Sequence, residues 1–218
     1  MMNKTTPGAA EPTRTSTTAI ILCGGAGRRA GGADKPLFEF ANKPLVAHVA
    51  ASLQPLVSRI LISANRNPHL YSRYGEVIAD KAPGFTGPLS GVAACLEQTD
   101  TPFAIVCPGD APRVTTRLWQ KLLDALSTSE KNVVCAQDGT RRQPLFLAIN
   151  CRSPLNPLTH LERYLAGGQR SVLGWLERIG AMDVDCADLA VQLEDVDDLG
   201  ELQSLARSSI RPIPPSDG

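Results

Sequence analysis

The sequence predicts an α/β fold, a three-layer sandwich on a mostly parallel sheet. Three observations predict it. Short apolar runs alternate with stretches of helical periodicity along most of the chain. Those runs are continuously apolar, as strands buried on both faces are, rather than alternating apolar and polar. The chain has 218 residues, 43% hydrophobic and 20% charged, enough for one domain with a substantial core.

Residues 19–23 form the first apolar strand. Asn42 is placed to cap a helix with Pro44 in its first turn, and Leu45, Val49 and Leu53 recur on one face. Residues 59–63 and 76–79 are the second and third strands, and 89–96 is a helix opening after the Gly87-Pro88 turn. Residues 103–107 are a fully apolar strand. Thr115 or Thr116 caps a helix whose Leu118, Leu122 and Leu126 share a face. Strands at 132–136 and 145–149 and helices at 157–166 and 171–179 follow. Short strands at 182–184 and 191–193 then lead to a last helix at 195–206. Residues 1–17 and 207–218, rich in Thr, Pro and Ser without apolar periodicity, are expected to be flexible tails around one domain, 18–206.

Composition narrows the function. Formal net charge is zero, which argues against a surface that coats nucleic acid. No apolar run approaches the roughly 18 residues that suggest a membrane span, and no secretory signal is visible at the N-terminus. Six cysteines, at 23, 95, 107, 135, 151 and 186, include no C-x-x-C pair, and several lie in apolar runs. Reduced, packed thiols in a cytoplasmic protein are expected.

The segment from Gly24 to Lys35 holds five glycines, two arginines and one lysine directly after the first strand. Glycine brings backbone N–H groups close to phosphate oxygens, and Arg28, Arg29 and Lys35 add positive charge. A Walker A loop is excluded, because Gly27 and Gly32 are followed by Ala33 and Asp34. A dinucleotide fingerprint at Gly25, Gly27 and Ala30 lacks the acidic residue expected about 20 positions on. A nucleotidyltransferase signature fits: Leu22, Gly24, Gly25, Arg29, Gly31 or Gly32, then Asp34-Lys35-Pro36.

Ligands of such sheets bind beyond the carboxyl ends of the strands. That rule puts the glycine-rich loop, residues 63–66, Asp80 and Pro108-Gly109-Asp110 on one rim. Asp110, just past a buried strand, suits Mg²⁺, which takes one or two carboxylates plus waters and phosphate oxygens. An ordinary turn between prolines explains Asp110 taken alone; a phosphate loop on the same rim favours the metal. Asp80 suits a base edge or ribose, or equally a turn cap. Small residues at Gly87-Pro88-Leu89-Ser90-Gly91 permit close ligand approach and also suit a helix N-terminus. Arg141 and Arg142 suit an anionic second substrate, although exposed hairpin arginines are commoner. The acidic run Glu194, Asp195, Asp197 and Asp198 suits the start of a helix, and one member is a candidate second metal ligand. His48, His69 and His160 show no metal-ligand spacing.

These motifs resemble those of the molybdenum cofactor guanylyltransferases. The likeness runs through the glycine-rich loop, Lys43-Pro44-Leu45, Ala64-Asn65-Arg66, Asp80, residues 87–91, residues 107–112 and Asp138-Gly139 with Arg141, Pro144 and Leu145. It covers about residues 18–206. The resemblance implies a Rossmann-like nucleotidyltransferase sheet and the transfer of GMP from GTP to molybdopterin-bound molybdenum cofactor, with release of pyrophosphate. It implies Mg²⁺ on Asp110 and catalytic roles for Asp110, Lys35 and Arg29. The implied nucleotide contacts are Leu22, Cys23, Gly24, Gly25, Lys35, Ser63, Asp80 and Asp110. An apo-molybdoenzyme or cofactor-maturation protein is the implied protein partner. Cys23 stands where the family usually has Ala, Ser63 where some members carry Asn, and Glu194 at the second Asn of the family's Asn-x-Asn-Thr-Pro-Glu pattern. The other readings are a related cytidylyl- or sugar-nucleotidyltransferase, and a carrier that binds GTP without turning it over.

Overall fold

The computed structural model describes residues 11–24, 34–80 and 87–194. Gly25, Arg28, Arg29, Gly31, Gly32 and the helix expected at 195–206 lie outside these residues, as do 1–10 and 207–218.

Nine strands and six helices are described, and the large sheet has the order β5-β4-β1-β6-β8-β7-β9. Strands β1 (Thr17–Leu22), β4 (Arg59–Ser63), β5 (Glu76–Ile78) and β6 (Phe103–Pro108) are mutually parallel. Strand β8 (Arg142–Asn150) runs antiparallel to both β6 and β7 (Val133–Gln137), and β9 (Met182–Asp185) is parallel to β7. Every residue of β1 and β6 is buried, as their continuous apolar runs require.

Helices cover both faces. On one side, α1 (Leu45–Leu53) and α4 (Thr116–Thr128) bury Val46, Val49, Leu53, Leu118, Trp119 and Leu122 against Ile21, Ile105 and Ala148. On the other, α3 (Pro88–Glu97), α5 (Pro157–Ala166) and α6 (Val172–Ile179) bury Leu89, Val92, Leu161 and Trp175 against Ile20, Ala104 and Leu147. The three layers and the mostly parallel sheet are those the sequence predicts.

Three local expectations change. Asn42 caps no helix. It and Ala41 have φ of 63° and 47°, the left-handed pair of a two-residue hairpin turn between β2 (Glu39–Phe40) and β3 (Lys43–Pro44). Helix α1 therefore starts at Leu45, with Pro44 at the cap position. The first strand begins at Thr17, after a 3-10 turn at Arg14–Ser16, because Thr17 pairs with Phe103 and is buried. The strand expected at 191–193 is part of a 3-10 helix, Ala187–Leu193. Leu189 and Leu193, four apart, both reach the core, while Val191 is 57% exposed.

The short helix α2 (Pro68–Tyr71) follows Asn67, whose φ of 50° is left-handed. No described helix is long and apolar enough to cross a membrane.

Candidate active site

The register sets the geometry of the rim. Leu22 is level with Ser63 on β4 and with Pro108 on β6, and Ser63 is level with Ile78 on β5. Backbone pairing continues just past the strand ends. Cys23 N–H donates to the Ser63 carbonyl at 2.9 Å, Gly109 N–H to the Leu22 carbonyl at 2.9 Å, and Ala64 N–H to the Ile78 carbonyl at 3.1 Å. Cys23-Gly24, Ala64-Asn65, Asp80 and Gly109-Asp110 thus leave the sheet side by side.

Gly109 closes the corner beside Asp110. A Cβ there would lie 2.6 Å from Cys23 Sγ, 3.2 Å from Pro36 Cβ and 3.3 Å from the Leu22 carbonyl oxygen. Only glycine lets the 3-10 turn Lys35–Leu37 settle against the ends of β1 and β6, which brings Lys35 to the rim that carries Asp110. Burial pushes the Cys23 thiol far up; Cys107, Asp34 and Asp110 nearby push it the same way. Burial likewise raises the Cys107 thiol, and that of Cys95 to about 12 with help from Asp80. These cysteines are packing residues with no thiolate at neutral pH, and all six thiols are free.

Asp34 is the side chain that ties the two sides of the corner together. Its carboxylate, 8% exposed, accepts from Asn67 Nδ2 at 3.0 Å and lies 4.0 Å from Arg66 Nη2. Burial, then Cys23 and Asp34, raise the Tyr71 hydroxyl well above its usual range. The motifs of the sequence assign Asp34 and Asn67 no such tie. The available signal is an Asn before Pro68, where the chain leaves β4 and turns left-handed.

Asp80 is held by Asn65. Asn65 Nδ2 donates to Asp80 Oδ2 at 2.9 Å, and Asp80 N–H donates to Asn65 Oδ1 at 2.9 Å. The other carboxylate oxygen, Oδ1, is buried with no hydrogen-bond partner and faces the first turn of α3. A Cβ on Gly91 would collide with Ser63 Oγ and lie 3.5 Å from Asp80 Oδ1. Gly91 is therefore spent on packing α3 against the end of β4, and Pro88 occupies the first turn of that helix.

Among the described residues no three His, Cys, Asp or Glu side chains cluster as a metal cage. That donor set suits a hard cation held by one carboxylate and completed by phosphate oxygens and waters, and it does not suit a structural zinc site. Asp110 is half-buried and lies just past the end of β6. Glu194, the other described candidate, pairs with Arg113 Nη1 at 2.9 Å. Gln192 Oε1 meanwhile accepts from Thr115 N–H at 3.0 Å and from its hydroxyl at 2.9 Å, anchoring this segment to the start of α4. Asp195, Asp197 and Asp198 lie outside the described residues.

The arginines of the β7–β8 hairpin separate. Arg142 is bound to Asp183 on β9 at 2.5 Å, whereas the Arg141 side chain is 80% exposed at the tip. Asp138 shapes that tip by accepting from the backbone N–H groups of Thr140 and Arg141 at 2.8 and 2.9 Å. The Thr140 hydroxyl and these bonds hold its carboxyl well below the usual range. His48 bonds the Phe40 carbonyl at 2.8 Å, a structural contact.

Known proteins resemble this chain in sequence and in fold. A family model described as the MobA-like NTP transferase domain matches residues 19–179. A molybdenum cofactor guanylyltransferase of Mannheimia succiniciproducens is 37% identical over 188 residues, 86% of this chain and 97% of that protein. One from Pasteurella multocida is 35% identical over 188 residues, with the same coverage of 86% and 97%. In fold, the chain is similar to the crystal structure of a molybdopterin-guanine dinucleotide biosynthesis protein A from Archaeoglobus fulgidus. The TM-score is 0.72 at 21% identity, covering 88% of this chain and 97% of that one. The rim at the ends of β1, β4, β5 and β6 lies within the matched span, and the chain belongs to the MobA-like NTP transferase family.

Proposed function

We propose that this chain is a molybdenum cofactor guanylyltransferase, which joins GMP from GTP to molybdopterin-bound molybdenum cofactor and releases pyrophosphate. The observation that carries the reading is the convergence of Leu22, Cys23, Gly24, Lys35, Ser63, Asp80 and Asp110 on adjacent strand ends. From β5 to β6 is three strand steps, about 14 Å at the usual spacing. A nucleoside triphosphate laid across that rim has its base and ribose near Ser63 and Asp80, and its phosphates near Lys35 and Asp110.

In the reaction, an oxygen of the acceptor's terminal phosphate bonds to the α-phosphorus of GTP. The bond from that phosphorus to the bridging oxygen of the β-phosphate breaks in line, and pyrophosphate carries away the electron pair. The chain's work is alignment and charge stabilisation. Lys35 neutralises the triphosphate, and the backbone of Gly24 borders it; the Cys23 N–H is already bonded to the Ser63 carbonyl. The motif of the sequence assigns Arg29 and Gly25, outside the described residues, to the same phosphates. Asp110 would hold Mg²⁺, which when bound would supply positive charge to the phosphate oxygens. Cytoplasmic residence and hand-over of product to an apo-molybdoenzyme or maturation protein belong to the same reading.

Calorimetry of GTP against CTP, each with Mg²⁺, followed by assay with loaded acceptor, tests it. GTP preference and dinucleotide formation are expected; CTP preference transfers the reading to the cytidylyl branch, and GTP binding without turnover makes the protein a carrier. Lys35→Ala is expected to weaken GTP binding by roughly tenfold or more, the worth of a charge-assisted contact. An unchanged dissociation constant removes Lys35 from the phosphate site.

A further inference from the structure

We infer that Asn65 is a base-reading residue that acts jointly with Asp80 to select guanine. The inference rests on the guanylyltransferase reading and adds to it the residue that carries base selectivity.

The pair of bonds at 2.9 Å makes Asn65 and Asp80 one rigid polar unit across the ends of β4 and β5. The amide cannot be turned over, since that sets its NH₂ against the Asp80 N–H and its oxygen against a carboxylate oxygen. Asp80 Oδ1 points inward beneath Gly91 and Ser63, so the outward-facing oxygen is Oδ2. Asn65 is exposed, and an Asn amide carries two N–H donors. One is spent on Asp80 Oδ2; the second points away from that bond. A carboxylate oxygen accepts more than one donor. The unit therefore offers a donor next to an acceptor, in fixed order.

Guanine presents O6, an acceptor, next to N1–H, a donor. Adenine presents the reverse, an amino donor at C6 next to the N1 acceptor. The Asn65–Asp80 unit complements guanine, with Asn65 N–H to O6 and N1–H to Asp80, and sets donor against donor for adenine. A site built on such bonds rejects the wrong partner strongly, because its polar groups are left unpaired. Asp80 alone supplies only the acceptor half.

The test uses the full chain with Mg²⁺ and measures binding of GTP, ATP and 2′-deoxyGTP to wild type, Asn65→Ala and Asn65→Asp. Both substitutions fall on an exposed rim side chain, and thermal unfolding checks the fold. Asn65→Ala is expected to weaken GTP about tenfold, the worth of part of a bidentate base contact, and to change ATP by less than about twofold. Asn65→Asp, which replaces the donor by a carboxylate facing O6, costs more. The loss is read in the dissociation constants, since the pair touches the base and not the reacting phosphorus. Equal weakening of GTP and ATP overturns the inference and makes Asn65 a loop-shaping residue. A change confined to the ratio of GTP to 2′-deoxyGTP overturns it in favour of ribose recognition. A wild type that binds GTP selectively, with a variant just as selective, sinks this inference alone; a wild type that binds no GTP removes the functional reading as well.

Discussion

Asp110→Ala is expected to lower turnover by roughly 100-fold or more, the usual cost of deleting a group that stabilises developing charge. Gly109, Cys23 and Pro36 pack closely at this corner, beside the carboxylate that the substitution removes. The rate at saturating GTP and Mg²⁺ is expected to collapse, and thermal unfolding measured alongside separates that loss from any loss of fold. Asp110→Asn keeps the shape, removes the charge and is expected to behave similarly. A near-wild-type rate in either variant eliminates the metal role of Asp110.

Trp119→Ala is expected to cost about 3–5 kcal/mol of stability, the range for deleting a buried large aromatic side chain. Trp119 is fully buried in α4, stacks on Phe146 with ring centroids 5.9 Å apart, and donates its indole N–H to Ser52 Oγ at 2.8 Å. The truncation opens a cavity between α4 and the sheet and removes one of the two hydrogen bonds that tie α4 to Ser52 of α1, leaving the Thr116 hydroxyl on the Ser52 carbonyl. Because domains of this size are typically stable by only about 5–15 kcal/mol, the variant should sit close to unfolding at moderate temperature. Urea titration measures the loss. Trp119→Phe keeps most of the volume and loses the N–H, so it is expected to fall between the two; a Trp119→Ala midpoint equal to wild type contradicts this account of the core.

These two residues differ in how plainly the chain's linear order announces them. Asp110 is legible because its position is a one-dimensional fact: an apolar strand ends, and the next turn carries a carboxylate. Trp119 lies one residue past Leu118 on a helix whose apolar stripe is visible. Its partner Ser52 is 67 positions away and Phe146 sits on β8, and no periodicity links them. The same distinction explains Asn42. An Asn before a helix is the pattern of a cap, yet the chain spends it on a left-handed hairpin position, because Glu39–Phe40 and Lys43–Pro44 pair with each other. It also explains residues 191–193, a short apolar run that suits a strand, where the burial of Leu189 and Leu193 settles on a helical turn.

By itself the sequence determined the layer architecture, the strands that matter for the rim, and the residue types offered there: the glycine-rich loop, Lys35, Asp80 and Asp110. Continuous apolar runs can be satisfied only by burial on both faces, and the turn that follows each parallel strand must emerge at the carboxyl edge. Tertiary structure alone decided which of these turns are neighbours and how their polar atoms are shared. The strand order β5-β4-β1-β6 puts Asp80 beside Asn65 and Gly109 beside Cys23. Tertiary packing also sets Asp34 against Asn67 and pairs Glu194, past β9, with Arg113, past β6. Such pairings depend on register between distant segments, and hydrogen bonds of about 3 Å tolerate almost no error in it, so they exist only once the sheet has closed.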